Sequence, residues 1–311
     1  MIGAFWGQAA GKLADRWLSV SSSAIVFWVG MTLAVLLTHG SAATADEVSQ
    51  ALQQGGPATQ TLVILVALLG VTASGLVVQR LTTPALRIFE GYWPTLLRPL
   101  LERRLCAVTR RLEKDNSRWA ELASVIFEEK PTRAELDEFN RLDTRLRHVP
   151  DNPLHYMPTS VGNILRAAET RPTDRYGIGV IALWPHLWSL LPEPQRQDLA
   201  TARLALDNAV AACLWAVIFL FAATPLTWWA VLPALTVCSA GWFGWIPARA
   251  RVFADLVEAA CDLHRLDLYK AMGLQPPVAR EDEQAAGRAL TELVLRGTGS
   301  GKPATADGGG Q

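Results

Sequence analysis

Cysteine and histidine are scarce in this chain, and neither is placed where disulfide or metal chemistry would need it. Cys106, Cys213, Cys238 and Cys261 show no CxxC spacing. Two fall in segments read below as membrane spans, so all four are expected to be reduced thiols packed as small apolar residues. The five histidines are scattered. Asp262, His264 and Asp267 stand close in sequence, but positions i, i+2 and i+5 of a helix do not converge on one face. No metal site is expected, and no serine or cysteine nucleophile stands beside a recognisable base. The expectation is therefore no catalytic residue, no cofactor and no enzyme. An excess of one charge is also missing. The 29 basic and 29 acidic residues cancel, so no basic surface for nucleic acid is implied.

Two glycine motifs lack the context that would give them meaning. Gly177-Ile178-Gly179-Val180-Ile181-Ala182 matches GxGxxA, yet a dinucleotide fold needs a strand before it and a helix opening at it. Pro172, Thr173 and Asp174 precede it instead, and Trp184-Pro185 follows. The run from Gly297 to Lys302 shares glycines and a lysine with a phosphate loop. It is one residue short, and Pro303 stands where Ser or Thr would hold magnesium. A flexible tail is expected there.

The most telling lack is local. No charged side chain occurs from Trp17 to Thr38, from Val48 to Gln79, or from Asn208 to Ala248. A bilayer core needs about 20 apolar residues in a helix, so these blocks predict spans at about residues 20–38 and 61–79. The long third block is divided at Thr224-Pro225-Leu226-Thr227, because Pro225 removes a backbone donor. It gives spans at about 209–224 and 228–247, with a kink expected at Pro233. Trp228 and Trp229 fall at one interface, and Trp242 and Trp245 at the other, where amphipathic rings prefer to lie.

Lysine and arginine set the orientation. The 39–60 loop carries Asp46 and Glu47 but no basic residue, and the 224–227 turn has none either. Lys12, Arg16, Arg80, Arg87, Arg203, Arg249 and Arg251 flank the opposite ends. The positive-inside rule then places both termini and the central region in the cytoplasm of a cell whose inner (plasma) membrane the chain crosses. Ala43-Thr44-Ala45 resembles a signal-peptide cleavage site, but the apolar run before it is longer than a usual h-region. The first span is expected to be retained. Residues 1–20 are expected to form an interfacial segment.

The fold class that follows is an all-α integral membrane protein, with two transmembrane helical hairpins (21–79 and 207–247) flanking a cytoplasmic helical domain (80–206). A cytoplasmic helix (248–275) continues the fourth span, and a short helix with a Gly-rich tail (276–311) ends the chain. Prolines 84, 94 and 99 predict a broken entry to the domain. Apolar residues at 97, 101, 105, 108, 112, 119, 122 and 126 then predict one face of a long helix reaching Glu129. Its other face carries Arg103, Arg104, Arg110, Arg111 and Lys114, read either as a solvated face or as attraction to anionic lipid or a partner. After Pro131, Thr132 and Glu135 have capping-box spacing. The helix at about 133–148 presents Leu136, Phe139, Leu142 and Leu146, and a short connection makes the pair a hairpin. A further helix is expected after Thr159, with Val161, Ile164, Leu165 and Ala168 inward. Another begins at Glu193 or Pro194 and runs into the third span.

One row stands out near the end: Asp255, Glu258, Asp262, Arg265 and Tyr269, at helical steps of three and four. It is either a solvated face with an Asp262–Arg265 pair or the charged mouth of an ion pathway. Nothing inside the spans is ionisable, so a buried proton relay has no support. Ala67, Gly70 and Ser74 offer a small-residue face for helix contact.

The segments Pro158–Glu169, Arg175-Tyr176-Gly177, Trp184-Pro185-His186-Leu187-Trp188 with Leu190-Leu191-Pro192, and Asp262-Leu263-His264-Arg265 with Leu268-Tyr269 resemble an uncharacterised family of bacterial, largely actinobacterial, four-span membrane proteins. The resemblance covers the last two thirds of the chain. It implies a membrane protein and carries no catalytic residues. Two functional classes follow. One is a homo-oligomeric channel or transport-type assembly. The other is a membrane-anchored scaffold or signalling protein, whose helical domain binds a cytoplasmic protein partner through the long helix and the Trp184/Trp188 segment.

Overall fold

The computed structural model describes residues 23–35, 50, 56–128, 131–224 and 228–297. The interfacial segment expected at 1–20, the Ala43–Ala45 site, the Pro225 turn and the glycine-rich end lie outside these residues. Among the described residues every regular element is helical. In chain order they are α1 (Ser23–Val35), α2 (Gly56–Glu90), α3 (Arg98–Glu128), α4 (Arg133–Leu146), α5 (Ser160–Tyr176), α6 (Val180–Leu190), α7 (Glu193–Ala223), α8 (Val231–Ala240), α9 (Ile246–Ala271) and α10 (Arg280–Arg296). Short 3-10 turns precede α3, α5 and α8, and a π-helical stretch, Gly241–Trp245, joins α8 to α9. Three helical runs are long and apolar enough to cross a membrane: one beginning with α2, one at α7 and one at Val231–Ala271.

The chain divides into two compact units. The first takes residues up to Ile88 together with Ala205–Ile246; the second takes Phe89–Leu204 and the residues from Pro247 onward. α2 and α7 each belong partly to both, as does α9 through its first residue, Ile246.

In the first unit the chain buries a small core and turns the aliphatic residues from Leu62 to Leu69 outward. Ala24, Val78, Ala211 and Trp215 form the core, with Phe27, Val71, Leu214 and Ile218 packed on it. Two indoles find acceptors inside the unit. Trp28 Nε1 donates to Ser74 Oγ at 3.1 Å and Trp215 Nε1 to Ser23 Oγ at 3.1 Å, which gives each indole N–H a partner within the unit. Ser74 thus serves the small-residue face expected of α2. Thr32, Thr61, Thr72 and Thr236 each donate to the carbonyl four residues earlier in their own helix, the usual resort of a hydroxyl with no polar neighbour. Only 11% of the most apolar window of α2 is buried. At Gly241 a β-carbon would collide with Cys213 Sγ, so glycine is what lets the π-helical stretch approach α7.

Two sequence expectations need correction here. Pro84 lies inside α2, which runs on to Glu90, because one missing hydrogen bond in a long helix can be absorbed by local adjustment. Pro99 sits in the first turn of α3, where its absent N–H has no helical partner to lose. The break is at Gly91, whose φ of 108° only glycine adopts readily, followed by Pro94. The span expected at 228–247 is likewise not one regular helix but a 3-10 turn, α8 and the π-helical stretch in succession.

The second unit is built by capped helices packed through mixed contacts. Thr132 Oγ1 accepts from the Glu135 N–H while the Glu135 carboxylate accepts from the Thr132 N–H at 2.8 Å, the expected capping box. α3 and α4 pair through Trp119 stacked on Phe139, centroids 5.6 Å apart, and through Arg118, whose Nε and Nη2 both reach Glu138 at 3.0 Å. Leu112 and Leu122 are buried on the α3 face predicted to be apolar, but Leu97 is exposed. α5 starts at the Thr159 cap and buries Val161, Ile164, Ala167 and Ala168. The GxGxxA glycines serve packing: Gly177 (φ 72°) ends α5, Gly179 caps α6, and a β-carbon at Gly287 of α10 would collide with the Tyr176 carbonyl.

Candidate functional site

The row on α9 engages side chains brought from three other places in the second unit. Asp255 Oδ1 lies 3.0 Å from Nε2 of His148, in the connection after α4. Glu258 faces Arg171 of α5, with Nη1 donating to Oε1 at 3.0 Å and to Oε2 at 3.3 Å. Arg171, 7% exposed at its side chain, is the hub of this part. Its Nη2 also donates to the Val149 carbonyl at 3.1 Å, and its Nε lies 3.4 Å from Asp151. A guanidinium with five donors in a fixed fork can serve a carboxylate and a loop carbonyl together. α9 is thereby tied to α5 and to the loop before it.

About two turns further on, Arg265 Nε donates to Glu283 of α10 at 2.6 Å, and its guanidinium lies 4.6 Å from the centre of the Tyr176 ring. Its Nη1 bonds the Asp262 backbone carbonyl, so the pairing expected between the Asp262 and Arg265 side chains gives way to an Arg265–Glu283 pair. Burial pulls the Arg265 guanidinium down, but the bond and charge of Glu283 carry it above its ordinary value. The Asp262 carboxylate bonds the phenol of Tyr176, which burial first and Asp262 second push up. Tyr269 is 2% exposed, and its hydroxyl finds no hydrogen-bond partner among the described residues. Burial raises its phenol, and Glu283 adds to the effect. Between them, the Cys261 thiol is pushed up to about 12 by burial and by the nearby Asp262 and Glu258 charges, so it is no nucleophile.

The structure therefore brings all five row residues onto one helix, bonds four of them to side chains of the same unit and buries the fifth, Tyr269. Asp255 keeps half of its side chain exposed. Arg171 is not among the residues singled out from the sequence, though a signal for it exists there. Ile164, Ala168 and Arg171 follow steps of four and three, which places the arginine on the buried stripe of α5. His264, separately, sits between Gln195 (2.8 Å) and Asp267 (3.4 Å). No group of three or more His, Cys, Asp or Glu side chains among the described residues is arranged to hold a metal.

Elsewhere in the unit, a polar cleft of about 470 Å³ is bounded by Asn116, Trp119, Asp143, Arg147, Asp151 and Arg175. Trp184 and Trp188 of α6, expected to be exposed, are half-buried and lie 6.1 Å apart, with Leu183 and Leu187 buried on the same helix. The basic residues of α3, from Arg103 to Lys114, are exposed.

Comparison with known protein families, with curated proteins and with solved structures finds no match to this chain. The resemblance noted for Pro158–Glu169 and its companion segments rests on those residues alone.

Proposed function

We propose that this chain is a multi-pass membrane protein that holds a rigid helical unit at the cytoplasmic face of the plasma membrane, as a docking platform for a protein partner. The apolar runs of α1, α2, α7 and α8 form two hairpins in the bilayer, and the absence of Lys and Arg from the two outer connections puts both termini inside. The observation that carries the platform reading is the engagement of Asp255 with His148, Glu258 with Arg171, and Arg265 with Glu283. A row bonded into its own unit fixes helix positions, and it is poorly suited to lining the mouth of a water-filled pathway. The outward features of the unit are the charged faces of the α3–α4 hairpin and the exposed Phe127 near the end of α3.

The competing reading is a homo-oligomeric channel or transport-type assembly, and one reconstitution separates the two. Purified protein in liposomes is expected to show no ion flux above empty vesicles. A photoreactive residue at Phe127 in cells is expected to capture one discrete protein. Flux that is abolished by Asp255→Asn, Glu258→Gln and Asp262→Asn together, in protein that still folds, would establish the channel class instead.

A further inference from the structure

The chain leaving α2 makes an apolar protrusion on a clamped base. At the base, the Thr159 hydroxyl donates to the Glu90 carbonyl at 3.0 Å, and Arg104 Nε donates to the Pro158 carbonyl at 3.2 Å. Gly91 is buried against Pro158, and a β-carbon at Gly162 would collide with the Glu90 carbonyl. These contacts hold both ends of residues 91–104 to one spot at the start of α5. Between them, every residue from Pro94 to Leu100 is exposed. Most of these residues are apolar: Pro94, Leu96, Leu97, Pro99 and Leu100, with Tyr92 exposed beside them. Leu96 is 89% exposed. A turn in water is ordinarily polar, and a clamped turn has no freedom to fold its leucines back.

We infer that Tyr92–Leu100 is an interfacial anchor, whose leucines enter the boundary between headgroups and acyl chains of the bilayer. This rests on the membrane reading proposed above. Three observations favour lipid over a protein as the occupant. The segment opens two residues after α2 ends at Glu90, beyond Arg80 and Arg87, the basic residues that mark the inner end of its apolar run. It has the composition of an interface-seeking element, aliphatic side chains beside an aromatic ring with a polar tip. Its own charge, Arg98, is paired with Glu102 at 3.1 Å, Glu90 stands just before it, and the exposed Arg103 just after it suits a lipid phosphate. The anchor would hold the first turn of α3, and with it the clamp on α5, at a fixed depth.

The test is photo-crosslinking in nanodiscs of mixed anionic and zwitterionic phospholipid, with a benzophenone amino acid placed singly in the full chain at Leu69, Leu96 or Leu154. Leu154 is as exposed as Leu96, at 89%, and serves as the aqueous control. Lipid adducts are expected at Leu69 and Leu96 and only background at Leu154. Adducts at Leu69 with background at Leu96 would overturn the anchor and leave the membrane reading intact. Background at both Leu69 and Leu96 would overturn the membrane reading itself. Adducts at Leu96 to another protein chain, in place of lipid, would assign this segment to a protein interface and overturn the anchor.

Discussion

Leu69 in the first unit is 68% exposed, whereas Arg171 in the second is 7% exposed at its side chain. Leu69 belongs to a continuous exposed apolar stretch from Leu62 to Leu69, whereas an exposed leucine standing singly, such as Leu154, is ordinary on a surface in water. In the first unit the polar groups bond within the unit, indoles to serine hydroxyls and threonines to their own backbone, and the leucines and valines from 62 to 69 are exposed. In the second unit a buried guanidinium is affordable because a carboxylate and loop carbonyls meet it, while Arg103 to Lys114 stand in solvent. The difference teaches that exposure follows contrasting patterns in the two units, with a continuous apolar stretch on the surface of one and a paired guanidinium inside the other.

That contrast can be broken or sharpened by substitution. The largest effect is expected at Arg171→Ala, which leaves Glu258 half-enclosed without its cation. Breaking a buried pair in this way costs about 3–5 kcal/mol, so the second unit should melt at clearly lower temperature in detergent. A melt unchanged by the substitution would remove Arg171 from the role of hub. Next is Leu69→Arg, expected to cost about 2.5–3.5 kcal/mol of insertion at a span centre and to lower the fraction resisting alkaline extraction from membranes. Leu154→Arg, at a more exposed leucine, should change stability by no more than about 0.5 kcal/mol. Equal behaviour of the two would erase the distinction between the units.

A paired glycine test comes third. Gly287→Ala drives a methyl into the Tyr176 carbonyl, an overpacking expected to cost about 1–3 kcal/mol and to raise amide exchange in α5 and α10. Gly70→Ala meets nothing within 4 Å and should be neutral in the same exchange measurement. The smallest effect is pH dependence at the α3–α4 hairpin. Arg118 holds the Glu138 carboxyl below its ordinary value of 4.5, and Thr132 does the same for Glu135. A depressed folded value stabilises fully above the unfolded value and is lost as pH falls through the folded one. The fluorine signal of 5-fluorotryptophan at Trp119, stacked on Phe139, should therefore stay constant from pH 7 to about 5 and shift only below 4.5.

Much of the helical layout was legible in the sequence because its signals are local. The Thr132–Glu135 box, the Thr159 cap and the uninterrupted runs of α7 and α9 each follow from residues within a few turns of one another. Pro84 misled because proline is a strong breaker in water and a weaker one in a long apolar helix. The row from Asp255 to Tyr269 was visible as a row, but its partners were not. His148, Arg171 and Glu283 lie 107, 87 and 18 residues from the side chains they meet, and helical periodicity gives faces without saying what covers them. The work of the GxGxxA glycines against α10 needed the packed structure to appear.

The central claim is that α1 and α2 form a hairpin open to the outside while the second unit stays in the cytoplasm. It is tested most directly with an impermeant thiol reagent on intact cells producing Ser49→Cys or Arg141→Cys. The account predicts labelling of the cysteine at position 49 in intact cells, and of the one at position 141 only after the membrane is permeabilised. Labelling at 141 but not at 49 in intact cells would contradict it.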